Sequence, residues 1–303
     1  MSTAAPQGLD RTHLKLAEIQ RLMRFRFVPR QFLQGQYTGR HAAPQRGQSV
    51  EFRDFRQYLP GDDLGQVDWK VYGRSDKFYV KLFEHETELT VTLLVDASAS
   101  MAYGTAPQQS KYDHACRLAA ALGFVIQRSQ DRVGFALARR GLSDYQRPSS
   151  ALPQLMEMLA CMEKTQPRDQ AELARSLDQL GSTIRRGEIV VLLSDFWEDL
   201  EPLTRGAMQI LHKGAELIVF HVLHNDELQL PYWSETLLIE AETGQRLQVN
   251  VDDLRDEYQR RLQQHLEAVR TRFQRLGIQY QFAPMTETYW QTLERYLVRR
   301  CSH

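Results

Sequence analysis

Cysteine is scarce in this chain: Cys116, Cys161 and Cys301 are the only three in 303 residues, and they lie far apart. That excludes a disulfide framework and a zinc site of paired-cysteine spacing, and it fits a reducing compartment. Excess charge is missing too. Lys+Arg and Asp+Glu both total 38, so no global field draws the chain to nucleic acid or to an anionic membrane. No uncharged apolar run approaches the roughly 20 residues of a membrane span; residues 118–126 form one of the longest. The opening MSTAAPQGLDRTH has no apolar core of the secretory kind, so a cytoplasmic location is the expectation. There is no GxSxG nucleophile elbow, no GxxxxGKS or GxxxxGKT phosphate loop and no GxGxxG dinucleotide turn. Internal repeats and low-complexity stretches are absent as well.

What is present centres on residues 91–104, VTLLVDASASMAYG. A β-branched and apolar run ends in Asp96, with Ser98 and Ser100 at alternate positions. Such a run reads as a buried parallel strand, apolar on both faces. Its carboxyl end is where ligands bind in open α/β sheets. A carboxylate and two hydroxyls leaving one strand tip can converge on a hard cation such as Mg²⁺. The competing reading is a polar loop whose serines cap the next helix.

The rest of the chain supplies the alternation of a doubly wound, mostly parallel α/β sheet. Helices are expected over 10–27 (Leu16, Ile19 and Met23 in register, Asp10 as cap), 111–127, 149–162, 172–180, 203–213, 254–276 and 289–299. The long 254–276 helix presents Leu254, Tyr258, Leu262, Leu266, Val269 and Phe273 on its inner face. Strands are expected over 77–81, 132–138, 188–193, 216–223 and 278–282, with a hairpin across 237–250. From Arg21 to Arg46 there are six arginines and no acidic residue, a solvated or internally paired arm or a dock for an acidic partner or a phosphate. Residues 48–81 interleave Phe52, Phe55 and Tyr58 with charges. There Asp62, Asp63 and Asp68 read better as turn caps and arginine partners than as a metal cluster.

A second carboxylate, Asp195, leaves the buried strand 188–193 just as Asp96 leaves its own. If the strands are parallel neighbours, their tips meet. Asp96 resembles a phosphotransfer aspartate, but a second acid is usual two residues on, where this chain has Ser98. His221 and His224 are three apart in a strand and face opposite sides, so a shared metal is disfavoured.

Asp96, Ser98 and Ser100, with Asp195 ending a later core strand, resemble the metal-ion-dependent adhesion site of von Willebrand factor A domains. The stretch 51–86, EFRDFRQYLPGDDLGQVDWKVYGRSDKFYVKLFEHE, resembles the signature of the bacterial domain-of-unknown-function family fifty-eight, as do 227–231 and 240–245. That resemblance implies a von Willebrand factor A-like, Rossmann-like fold over residues 87–303, with residues 1–86 as an amino-terminal extension packed on it. It also implies association with MoxR-type AAA+ ATPases and no known catalytic activity. One position departs: the threonine of the adhesion site falls on Ala171, which offers no oxygen, and Thr165 is the nearest threonine. The expectation is therefore a non-catalytic cytoplasmic adaptor binding proteins through a weakened site for Mg²⁺, with Mn²⁺ or Ca²⁺ as substitutes, held by Asp96, Ser98, Ser100 and Asp195. A metal-dependent phosphoesterase and a structural scaffold with a vestigial site are the alternatives.

Overall fold

Strands that must bury both faces alternate between two cores, and the sequence shows this directly. In the computed structural model the elements in chain order are α1 (Leu16–Leu22), β1 (Val50–Gln57), α2 (Trp69–Ser75), β2 (Tyr79–His85), β3 (Thr90–Asp96), α3 (Lys111–Arg128), β4 (Arg132–Ala138) and β5 (Leu142–Ser149). Then follow α4 (Leu152–Lys164), α5 (Leu173–Thr183), β6 (Ile189–Ser194), α6 (Leu200–His212), β7 (Glu216–Leu223), α7 (Asn225–Gln229), β8 (Glu235–Ile239), β9 (Arg246–Asn250), α8 (Val251–Arg275), β10 (Gln279–Pro284) and α9 (Tyr289–Cys301). The structure describes residues 11–27, 50–58, 65, 67–75, 77–85, 88–231, 235–239 and 245–301. Asp10, Asp62, Asp63, the turn at 242–244 and three arginines of the basic arm, Arg30, Arg40 and Arg46, lie outside them.

The main sheet has the order β10-β7-β6-β3-β4-β5. All neighbours are parallel except β4 and β5. Val91, Leu93 and Val95 of β3, Ile189, Val191 and Leu193 of β6, and Ile218, Phe220 and Val222 of β7 enter one core, with α1, α3, α4 and α9. The intervening Leu94, Val190, Leu192, Leu217 and Val219 enter the other, with α5, α6 and α8. This is the period-2 consequence of pleating, with helices covering both faces. The fold class is thus the doubly wound α/β sheet expected from the sequence. No helix among the described residues is long and apolar enough to cross a membrane.

The chain divides into two compact units, Met1–Gln34 with Leu89–His303, and Gly35–Glu88 by itself. Residues 11–27 are part of the larger unit: Leu14, Ile19, Leu22 and Phe27 are buried in the first core. Arg128 donates to the carbonyls of Met23 and Phe25, both at 2.7 Å. In the smaller unit β1 pairs antiparallel with β2, with an irregularity between Phe52 and Asp54. Asp68 caps α2 by accepting from Lys70 N at 2.8 Å, in the turn-capping role expected of it. Tyr72 stacks on Phe78 with centroids 4.4 Å apart.

β1, β5, α2 and α7 escape the sequence pattern. β5 is an edge strand, LSDYQRPS, with its residues half-buried or exposed and a proline near its end. Neither apolar alternation nor absence of proline can mark such a strand, because an edge tolerates both. The short α2 and α7 have too few turns to show a period. The expected inner face of α8 holds at Leu262, Val269 and Phe273, whereas Leu254 in its first turn is 44% exposed.

Candidate functional site at the carboxyl ends of the central strands

β3 leads on to its neighbour β4 on one side, whereas β6, its neighbour on the other side, leads on to β7 in the opposite direction. The crevice beyond such a reversal is the usual ligand position of doubly wound sheets. Asp96 ends β3, and Ser194 and Asp195 end β6, which pairs with β3 in parallel.

The limb on β3 is closed by neutral hydrogen-bond donors. Asp96 Oδ1 accepts from Ser98 N at 2.9 Å, and Asp96 Oδ2 accepts from Ser194 Oγ at 2.6 Å. Ser98 Oγ and Ser100 Oγ are hydrogen-bonded to each other at 3.0 Å. Asp96 is 2% exposed. Burial, then the neighbouring Asp195, push its carboxyl up to about 7 against the pull of the Ser194 and Ser98 hydrogen bonds. The loop that follows returns at Gly104, which bridges to Ser110. A Cβ at Gly104 would lie 2.6 Å from Gln109 O and 2.7 Å from Ser110 Cα, so the loop closes only on glycine. Ser110 then caps α3 in a reciprocal box with Asp113.

The limb on β6 is closed by a residue the sequence reading passed over. Lys111, the first residue of α3, is 1% exposed. Its Nζ donates to Asp195 Oδ2 at 2.7 Å and to Glu227 Oε1 at 2.5 Å. Burial pushes the ammonium down, but Asp195 and Glu227 offset this and leave it above its ordinary range. Glu227 in α7 also accepts from Trp197 Nε1 at 3.3 Å and from His224 N at 2.8 Å. Phe196 takes a left-handed turn (φ 52°). Its ring goes into the core against His221 and Phe273, while Trp197 emerges 42% exposed and stacks on His265 at 4.6 Å. A bulky residue adopts such a φ only where packing holds it.

The third loop precedes α5. Ala171 is buried, and Leu173 N donates to Glu198 Oε1 at 3.0 Å and Oε2 at 3.2 Å. A carboxylate from the loop after β6 thus caps this helix and offsets its positive end. Thr165 stays with α4, donating to Cys161 O at 2.8 Å.

The fold brings Asp96, Ser98 and Ser100 together at one strand tip and Asp195 to the end of the adjacent strand. Their oxygens do not fit a complete divalent-ion site. Mg²⁺ is generally held by one or two carboxylates with waters. Asp96 has both oxygens engaged by protein donors, Asp195 carries an ammonium, and Ala171 supplies nothing. Two neutral hydroxyls remain. Among the described residues no group of three or more His, Cys, Asp or Glu side chains is placed to hold a metal. His221 is buried with Nδ1 on Tyr280 OH at 2.9 Å, and His224 packs on Tyr103, so the two histidines do not meet. Among the described residues at these strand ends, Asp96 is enclosed and Lys111 is charged and doubly paired, so neither is a positioned nucleophile.

Lys111, Ser194, Trp197, Glu198 and Glu227 are absent from the residues expected of the site. Lys111 had one legible signal. A lysine in the first turn of a helix opposes the helix dipole, so a buried one requires carboxylates that only the fold can bring.

Comparison with known proteins places these features in a family. Uncharacterised proteins of Mycobacterium bovis and Mycobacterium tuberculosis are 30% identical over 242 residues, spanning 78% of this chain and 75% of theirs. Among solved structures, the conserved hypothetical protein BatB of Bacteroides thetaiotaomicron is similar at TM-score 0.46 and 12% identity, over 71% of this chain and 100% of that one. An aerotolerance-related membrane protein of Bacteroides fragilis gives TM-score 0.47 and 14% identity, over 71% and 98%. A von Willebrand factor type A protein of Catenulispora acidiphila gives 0.33 and 13%, over 48% and 35%. The family model described as protein of unknown function DUF58 matches residues 54–268, and the chain belongs to that family.

Proposed function

We propose that the crevice face is the docking surface of a non-catalytic, cytoplasmic interaction module, and that its partner is an AAA+ ATPase of the MoxR type. The observation that carries the docking surface is Trp197. It is a large aromatic left 42% exposed just beyond the end of β6, yet held in place by His265 and Glu227. Pre-ordered tryptophans are frequent anchors of protein interfaces because they bury much area at little entropic cost. The class of partner rests on the resemblance of residues 51–86, and the enclosure of Asp96 and Asp195 supports the non-catalytic reading.

The test is direct binding of the full chain to a purified MoxR-type ATPase from the same genome, with ATP and Mg²⁺, by interferometry. Trp197→Ala should weaken binding at least about tenfold, which is about 1.4 kcal/mol, while far-ultraviolet dichroism and melting stay those of the wild type. A wild type that does not bind the ATPase, or a Trp197→Ala variant that binds equally well, overturns the respective half of the proposal.

A further inference from the structure

The geometry points to Lys111 as the resident cation of the crevice: its ammonium stands at Asp195 in place of a divalent ion, and the site is organised without metal. This holds whichever protein docks there. Three observations carry it.

The first is placement. Lys111 begins α3 directly after the loop bearing Ser98 and Ser100, and its backbone N–H donates to Tyr103 O of that loop at 2.9 Å. The turn at Gly104 thereby brings the start of α3, and with it the ammonium, to Asp195 of the second limb.

The second is ligation. An ammonium has three donors and no acceptor. Two donors go to carboxylates on two different elements, Asp195 after β6 and Glu227 in α7. Joining acidic groups from separate loops is what a hard cation does in a sheet-end site. Here a covalently attached one does it, and it cannot dissociate.

The third is the complementary loss. Ala171 offers no oxygen where the adhesion-site resemblance expects threonine, and Glu198 caps the helix start beside it. The change at Ala171 and the lysine at 111 act in one direction: fewer metal donors, and a positive charge already on the acidic one. A divalent ion at Asp195 would have to displace the ammonium or sit beside it, against like-charge repulsion.

The experiment is Mn²⁺ binding, followed by electron paramagnetic resonance, together with melting of the full chain in chelator and in millimolar Mn²⁺. The wild type should bind no Mn²⁺ at this site and melt at the same temperature in both. Lys111→Met keeps an unbranched stem, one atom shorter, and removes the charge, leaving Asp195 and Glu227 facing each other. That variant should take up Mn²⁺ stoichiometrically, lose it on Asp195→Ala, and melt higher with the ion than in chelator. Should Lys111→Met be unfolded in chelator, restoration of the fold by Mn²⁺ supports the inference equally. Wild-type Mn²⁺ binding abolished by Asp195→Ala overturns it. So does a Lys111→Met variant, folded or unfolded, on which the ion has no effect.

Discussion

Asp96 and Asp195 stand at the ends of neighbouring parallel strands, each 2% exposed, and the protein satisfies them in opposite ways. Asp96 is surrounded by neutral donors, Ser98 N and Ser194 Oγ, and its carboxyl is pushed up to about 7. Asp195 is met by a full positive charge, shared with Glu227. One limb thus tolerates burial by easing toward the protonated acid, the other by ion pairing. A buried charge needs one or the other, because an isolated one costs far more than the fold can supply. The difference also explains why the four expected ligands converge without making a divalent-ion site.

Removing the ammonium breaks the comparison most severely. Lys111→Ala leaves Asp195 and Glu227 facing each other without a counter-charge, and breaking a buried pair from one side costs about 3–5 kcal/mol. Denaturant unfolding should show that loss. The double variant Lys111→Ala/Asp195→Asn should recover a good part of it, because it removes the orphaned charge along with its partner. If the double variant is no more stable than the single one, the ammonium is not organising this limb.

Titration sharpens the contrast. The Asp96 carboxyl has an ordinary value of 3.8 and is raised to about 7 in the folded chain. Below pH 3.8 it is protonated in both states and contributes its full stability. As pH rises toward 7 the unfolded chain ionises first, so this contribution falls, and it is lost once pH has passed through 7. Asp96→Asn removes the effect. Its unfolding free energy relative to wild type should therefore improve steadily between about pH 4 and pH 7 and level off above. Other groups, including His114 and His221, which burial holds down at about 4 and about 3, largely cancel in that difference. A difference that is flat with pH would mean that Asp96 stays ionised and that the two limbs are alike.

The smallest effect is expected at Ala171. Ala171→Thr restores the hydroxyl of the adhesion-site pattern but leaves the ammonium on Asp195. Calorimetric Mn²⁺ titration should find its isotherm the same as that of the wild type. A gain in affinity from the threonine alone would make the missing oxygen, and not the lysine, the feature that excludes the ion.

Much of the fold was legible because its determinants are local. The runs at 91–95, 189–193 and 216–223 are apolar on both faces, and only a sheet covered by helices on both sides can bury them. Strand β4 and the start of α3 follow from the same periodicities, and the strand tips that carry Asp96 and Asp195 follow with them. Strands β1 and β5, both at sheet edges, and the short α2 and α7 were not legible, since an edge needs no apolar alternation and one or two turns show no period.

The chain's amino acids by themselves determined the doubly wound sheet and the presence of two acidic strand tips with serines beside the first. Those features depend on residues within a few positions of one another. Only the tertiary structure decided what the acids do. Lys111 reaches carboxylates 84 and 116 residues away, and Ser194 reaches Asp96 across 98. No periodicity carries such partnerships, because a buried charge is satisfied by whichever donor the packed loops deliver.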